Sequence, residues 1–320
     1  MKERQLKIFS GSASEELTGR ICEKLNVHQG MLTTKKFSDG ELWCRFDENI
    51  RGQDVFIVQS TYTAESIIEL LIILDAAKRS SAGRITAVLP YYGYARQDRK
   101  DQPRVPISSR LFMDLIVKSG ANRIIAMELH CMQIQGFVDI PFDHLFSRPA
   151  LMTYFRSKGW FDDEDVMIVA PDMGSVARSR SIAMFMKKDL AIIDKRRVGH
   201  NKAEAMNIIG DVRGKKALII DDMADTAGTL VAAVKHLKEA GAREVICAFT
   251  HGVLSGPAIE RLKQADISHI VLTDSIPLPK KKMLPNMEIV SVSGILAQSI
   301  LRSHDNESIS DLFYEFNISN

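Results

Sequence analysis

Cysteine is scarce: Cys22, Cys44, Cys131 and Cys247 are the only four in 320 residues, and no two stand at CxxC spacing. That excludes a zinc knuckle and a disulfide-stapled scaffold, and it leads us to expect a reduced, cytoplasmic protein. Long apolar runs are also missing. The longest, Ile67–Leu74, is interrupted by Glu69 and is far too short to cross a bilayer. The opening MKERQLKIFSGS has no apolar core of signal-peptide length. An excess of one charge is lacking too. Lys plus Arg exceed Asp plus Glu by 42 − 40 = 2, so bulk charge points to neither nucleic acid nor a membrane surface as partner. Neither a Walker A loop nor a protein-kinase signature occurs.

What remains is ordinary for a folded protein, with 45% hydrophobic and 26% charged residues. The length suits two α/β domains better than one core. Short, continuously apolar runs predict parallel strands covered on both faces: Asp54–Val58, Arg84–Leu89, Arg123–Glu128, Asp165–Ala170, Ala191–Ile193, Ala217–Ile220, Glu244–Phe249 and Ile270–Leu272. Helical patterns fall between them. Ile67, Leu71 and Leu74 share one face, as do Leu230, Val234 and Leu237 ahead of Gly241. Strand–helix–strand alternation implies parallel sheets with right-handed crossovers.

A faint duplication is visible. GQDVFIVQS from Gly52, a helix and then GRITAVL from Gly83 parallel GKKALIIDD from Gly214, a helix and then GAREVIC from Gly241. Chance likeness of two βαβ units is the alternative. The duplication predicts two similar domains, 1–150 and 151–302, with a last helix at 303–320 returning to the first. Gln59-Ser60 and Asp221-Asp222 occupy matching strand ends, so only the second copy carries carboxylates there.

Those carboxylates begin the chemistry. In DDMADTAGT, Asp221, Asp222 and Asp225 can accept sugar hydroxyls or ligate a hard cation. Thr226, Ala227, Gly228 and Thr229 then supply hydroxyls and free amides at a helix start, which favour phosphate. A plain helix cap needs one such residue, whereas this stretch holds three carboxylates and two threonines. Four weaker clusters accompany it. YARQDRKD offers Arg96 and Arg99 as planar forks for phosphate and Gln97 for a base edge, or is a solvated charged turn. His130 closes an apolar strand and is either a phosphate or ion contact or a satisfied buried histidine. PDMGS at Asp172, followed by Arg178 and Arg180, repeats the plan of strand, acidic turn and helix start. KRRVGH from Lys195 is a solvated loop or a basic lid over phosphate.

These motifs, in this order, resemble the ribose-phosphate pyrophosphokinase (phosphoribosyl pyrophosphate synthetase) family. The likeness runs from about Leu6 to Phe313 and includes FSDGE, ENIRGQDVFIVQS, YARQDRK, LH with QIQGF, PDMGS, IIDKRR, DDMADTAGT and ESISDLF. It implies two domains of the type I phosphoribosyltransferase fold, the first holding the ATP site and oligomer contacts. It also implies transfer of the diphosphoryl group of Mg-ATP to ribose 5-phosphate, with release of AMP. By motif, Asp221, Asp222, Asp225, Thr226, Ala227, Gly228 and Thr229 would bind ribose 5-phosphate. Phe37, Asp39 and Glu41 of a neighbouring subunit, with Arg96 and Gln97, would bind ATP. His130 and Asp172 would help ligate Mg²⁺, while Lys195 and Arg197 on the lid would act in catalysis. Asn49, Arg51, Gln135, Ser308 and Ser310 match the region where phosphate and ADP act as effectors. A hexamer is implied, and neither a nucleic-acid nor a membrane partner. The chain departs from the usual pattern with Glu128 for Asp, Ser175 for Gly, and Met132 and His144 for polar residues. The competing readings are a phosphoribosyltransferase, which would leave FSDGE and YARQDR unexplained, and a non-catalytic regulatory homologue.

Overall fold

A computed structural model of the chain describes residues 4–196 and 205–316. In chain order the elements are β1 (Leu6–Ser10), α1 (Glu15–Leu25), β2 (Leu32–Lys36), β3 (Leu42–Phe46), β4 (Asp54–Val58), α2 (Ala64–Arg79), β5 (Arg84–Leu89), α3 (Ser108–Ser119), β6 (Arg123–Met127) and β7 (Phe142–Leu145). There follow α4 (Arg148–Ser157), β8 (Val166–Ala170), α5 (Val176–Met186), β9 (Leu190–Arg196), β10 (Ala205–Ile209) and β11 (Lys216–Ala224). The remainder is α6 (Gly228–Glu239), β12 (Glu244–Gly252), α7 (Ala258–Gln264), β13 (His269–Thr273), β14 (Met287–Val290) and α8 (Ser293–Asp305).

The chain divides into two units. The first runs to Ser147 and regains Ser275–Pro277 and Ser291–Leu312; the second holds Arg148–Asp274 and Leu278–Val290. The return to the first unit therefore includes all of α8, which packs on α1, and starts earlier than the 303–320 segment read from the sequence.

The first unit is a parallel sheet in the order β1-β4-β5-β6-β7, with an antiparallel β2–β3 hairpin beside it. Every residue of β4 is buried, as a strand covered on both faces requires. Against the sheet lies α2, whose buried stripe is Ile67, Leu70, Ile73, Leu74 and Ala77, with Leu71 partly covered beside it. Its start is secured by Thr63 and Ser66, which cap one another's backbone amides.

The second sheet runs β10-β9-β8-β11-β12-β13-β14, parallel except for β10, which pairs antiparallel with β9. Leu230, Val234 and Leu237 of α6 are buried on one face of it. Phe155, Ile182 and Met186 cover the other. Because β9 lies on one side of β8 and β11 on the other, the winding direction reverses between β8 and β11. Open parallel sheets bind ligands at such a switch point, outside the carboxyl ends of the strands.

The two stretches that look alike in the sequence are β4-α2-β5 in the first unit and β11-α6-β12 in the second, each a parallel pair joined by a helix. The strands not read from the sequence are short or polar: β1, the β2–β3 hairpin, β7, β10 and β14. Among the described residues no helix is long and apolar enough to cross a membrane.

Candidate active site

The switch point carries the acidic loop. β11 continues four residues past the predicted end at Ile220, so Asp221 and Asp222 are still within the strand. Asp222 is buried and Asp221 half-buried. Arg178, on α5 after β8, reaches across to both: its Nη1 is 2.9 Å from Asp221 Oδ1 and 3.5 Å from Asp222 Oδ1. Burial raises the Asp221 carboxyl from 3.8 to about 7, the neighbouring Asp222 charge adds to this, and Arg178 opposes it. Nothing in the sequence around Arg178 signals this contact, which spans 43 residues of chain.

Past β11 the chain turns at Ala227, which has φ +58° and leads into α6 without a side-chain cap. An L residue held in the left-handed region marks a backbone fixed by its surroundings. The first amides of α6 are therefore presented at a positive helix end beside exposed Thr226 and Thr229, an arrangement that favours an anion. Asp225 is half-buried, and its Oδ1 accepts the Ser255 hydroxyl.

Asp172 follows β8 in the same unit. Its Oδ1 accepts the Ser175 amide at 2.9 Å, and the Ser175 hydroxyl donates to the Asp172 carbonyl at 2.9 Å. Ser175, where the family pattern has Gly, thus closes a local cap on Asp172. Lys195 lies in β9, its backbone paired with Met206 of β10, so the basic run begins in a strand and not in a loop. Arg197 and the rest of that run lie outside the described residues, as does the Lys195 side chain.

In the first unit, Phe37, Asp39 and Glu41 form the tip of the β2–β3 hairpin. The Phe37 amide donates to the Glu41 carbonyl at 2.8 Å, and the Glu41 amide to Asp39 Oδ1 at 3.1 Å. Phe37 is 51% exposed, so its ring is not part of the core. Arg96 and Gln97 are exposed after β5. His130 is exposed beyond β6, which argues against the buried-histidine alternative. Glu128, two residues earlier, has φ +41°, and its Oε2 accepts both the amide (3.0 Å) and the hydroxyl (3.1 Å) of Ser147. The longer acid thus fastens the strand end to the segment entering α4.

Gln59 and Ser60, the counterparts of Asp221 and Asp222, are sealed in. Gln59 accepts the Ala13 amide at 3.1 Å and donates to the Ser66 carbonyl at 3.2 Å, while the Ser60 hydroxyl donates to the Ser275 carbonyl. That position in the first copy is filled by its own polar network. Among the candidate effector residues the contacts are local: Asn49 Oδ1 to the Arg51 amide at 3.0 Å, Gln135 Nε2 to the Met132 carbonyl at 3.0 Å, and Ser308 Oγ to Ser310 Oγ at 2.9 Å.

Among the described residues no three His, Cys, Asp or Glu side chains converge into a metal cage. One or two protein carboxylates fit Mg²⁺, which prefers to keep waters and to share phosphate oxygens of a substrate. The residues present therefore suit an ion brought in with a polyphosphate.

Fold and crevice together define a doubly wound α/β protein with an acidic loop and an anion-ready helix at its switch point. Residues 6–120 match the N-terminal domain of ribose phosphate pyrophosphokinase, and residues 196–314 the phosphoribosyl synthetase-associated domain. The chain is 50% identical over 310 residues to a ribose-phosphate pyrophosphokinase of Caldanaerobacter subterraneus subsp. tengcongensis, covering 96% of this chain and 98% of that protein. With the ribose-phosphate pyrophosphokinase of Bacillus subtilis it shares 48% over 313 residues, 97% and 98% of the two chains. The crystal structure of phosphoribosylpyrophosphate synthetase from Mycobacterium smegmatis superposes with a TM-score of 0.88 at 40% identity, covering 95% of this chain and 100% of that one. The chain belongs to the ribose-phosphate pyrophosphokinase family and is an enzyme of that family.

Proposed function

We propose that the enzyme transfers the β,γ-diphosphoryl group of Mg-ATP to the 1-hydroxyl of ribose 5-phosphate, yielding 5-phosphoribosyl 1-diphosphate and AMP. The observation that carries this reading is the pairing, within one switch-point loop, of the Asp221-Asp222 carboxylates with the uncapped start of α6. A sugar phosphate needs both. Its hydroxyls are held by Asp221, Asp222 and Asp225, and its phosphate by the amides and hydroxyls of Thr226, Ala227, Gly228 and Thr229.

In the reaction the sugar's O1 forms a bond to the β-phosphorus while the bond from that phosphorus to the α,β-bridging oxygen breaks. AMP departs with the bridging oxygen, and the O1 proton passes to solvent. No protein nucleophile is required, since phosphoryl transfer depends on positioning and charge compensation. We assign Lys195 and Arg197 to the charge developing on the transferred group. Arg96 and Gln97 are assigned to the nucleotide, with Phe37, Asp39 and Glu41 from a neighbouring subunit on adenine. His130 and Asp172 would help hold Mg²⁺, which neutralises phosphate charge when bound. A homo-oligomer, a hexamer by family resemblance, follows from the shared adenine site. We place the enzyme in the cytoplasm, with inorganic phosphate and ADP as effectors acting near Asn49, Arg51, Gln135, Ser308 and Ser310.

Incubation with ATP, Mg²⁺ and ribose 5-phosphate should release AMP in step with loss of the sugar phosphate. Diphosphate release that depends on an added nucleobase, with no AMP formed, would instead identify a phosphoribosyltransferase.

A further inference from the structure

The stretch Ala224–Gly228 is gripped from outside by a segment that no sequence motif singled out. The Leu254 amide donates to the Ala224 carbonyl at 3.0 Å, and the Ser255 amide to the Asp225 carbonyl at 3.2 Å. The Ser255 hydroxyl also donates to Asp225 Oδ1. Arg261, on α7, donates from Nη1 to the Thr226 carbonyl at 2.9 Å. A Cβ added at Gly228 would stand 3.1 Å from the same Nη1. From the far side, Lys282 Nζ donates to the Leu254 carbonyl at 2.9 Å. Leu254 itself is buried at φ +45°, a conformation that costs a branched side chain energy and persists only where its surroundings impose it.

We infer that Arg261 and Ser255 are positioning residues for the sugar-phosphate loop, acting through the Thr226–Ala227 peptide and the Asp225 carboxylate respectively. The inference rests on the proposed ribose 5-phosphate site. The physical reason lies in the planarity of the peptide group. In a trans peptide the carbonyl and the following N–H point in opposite directions. Arg261 holds the Thr226 carbonyl toward α7, so the Ala227 N–H is turned away from α7. With Ala227 in the left-handed region, that amide joins those at the start of α6 facing the anion. Releasing the carbonyl frees this peptide to rotate and withdraw a donor. Ser255 acts on the neighbouring residue, where its hydroxyl restricts the Asp225 carboxylate to one orientation toward a sugar hydroxyl. Gly228 favours the same grip, because a side chain there would push the guanidinium aside by a few tenths of an ångström.

Arg261 is exposed, so its replacement should leave folding intact. The test is steady-state kinetics of AMP release on Arg261→Ala, Arg261→Lys and Ser255→Ala. For Arg261→Ala we expect the KM for ribose 5-phosphate to rise about tenfold, the effect of losing one charge-assisted hydrogen bond. The KM for ATP, kcat and Tm should stay near wild type, and Arg261→Lys should recover part of the loss. Ser255→Ala should raise the same KM, by a smaller factor. Gly228→Ala should impair wild type more than it impairs the Arg261→Ala background. An unchanged KM for ribose 5-phosphate, a parallel fall in kcat, both KM values and Tm, or strict additivity of Gly228→Ala with Arg261→Ala would each overturn the assignment. Failure of the wild-type enzyme to respond to ribose 5-phosphate at all would instead remove the functional reading beneath it.

Discussion

Arg178 Nη1 lies 2.9 Å from Asp221 Oδ1 and 3.5 Å from Asp222 Oδ1, so one guanidinium bridges two adjacent carboxylates whose like charges repel. Removal of this cation would leave a buried and a half-buried carboxylate side by side in the strand without a counter-charge from Arg178. Keeping both carboxylates ionised costs the folded protein stability.

That expense has a definite sign with pH. The Asp221 carboxyl is raised from 3.8 to about 7, so the folded state retains a proton that the unfolded chain releases. Its contribution is full below about pH 4 and is lost as pH rises through 7, up to ~4 kcal/mol before solvent screening reduces it. Urea unfolding of the ligand-free protein in EDTA between pH 5 and 8 should show this slope. Asp221→Asn should flatten it while abolishing turnover; parallel curves for the two proteins would refute the coupling.

Glu128 fastens Ser147 through two hydrogen bonds to one oxygen, and Ser147 is only 2% exposed. Glu128→Ala should therefore cost about 1–3 kcal/mol, the penalty for leaving a buried donor unsatisfied. Glu128→Gln, which keeps an acceptor at the same reach, should recover most of it. Thermal or urea midpoints decide this. If Glu128→Ala instead leaves stability unchanged, and both variants raise the Mg²⁺ requirement alike, Glu128 is a metal ligand and not a fastener.

At the hairpin tip, Phe37 is half-exposed and contributes little to packing. Phe37→Ala should change stability by no more than about 0.5 kcal/mol. On the proposed adenine contact, the same change should nevertheless raise the KM for ATP about tenfold. A fall in Tm without a change in that KM would assign the ring to structure.

Lys195→Ala is expected to lower kcat for AMP release by about a thousandfold or more, as removal of a group stabilising transition-state charge does. Calorimetric binding of ribose 5-phosphate should hardly change. Near-normal turnover in this variant would remove Lys195 from the transition state.

The apolar strands β4, β5, β6, β8 and β12 were legible in the sequence because covering both faces leaves almost no polar position in them. Asp221 and Asp222 were legible for the complementary reason, since they break an apolar run, whereas His130, read as closing a strand, lies beyond the end of β6 at Met127. The hairpin β2–β3 was not, because LTTKK and LWCRF are short, half-buried strands without clean alternation. The supports of the sugar loop were equally hidden. Ser255 and Arg261 reach Asp225 and Thr226 over 30 and 35 residues of chain, and no local pattern encodes a contact at that separation.

The carboxylates, hydroxyls and helix start that DDMADTAGT offers are legible in its sequence alone, since residue type and strand-to-helix position are local properties. Tertiary structure alone decided how that loop is held. It set Arg178 from the next strand's helix against the paired carboxylates, and it sealed the equivalent Gln59-Ser60 position in the other copy. The first outcome depends on which side of β8 each neighbouring strand is laid and the second on what packs at the end of β4 in the other sheet, choices made by each sheet as a whole and not by any residue in the loop.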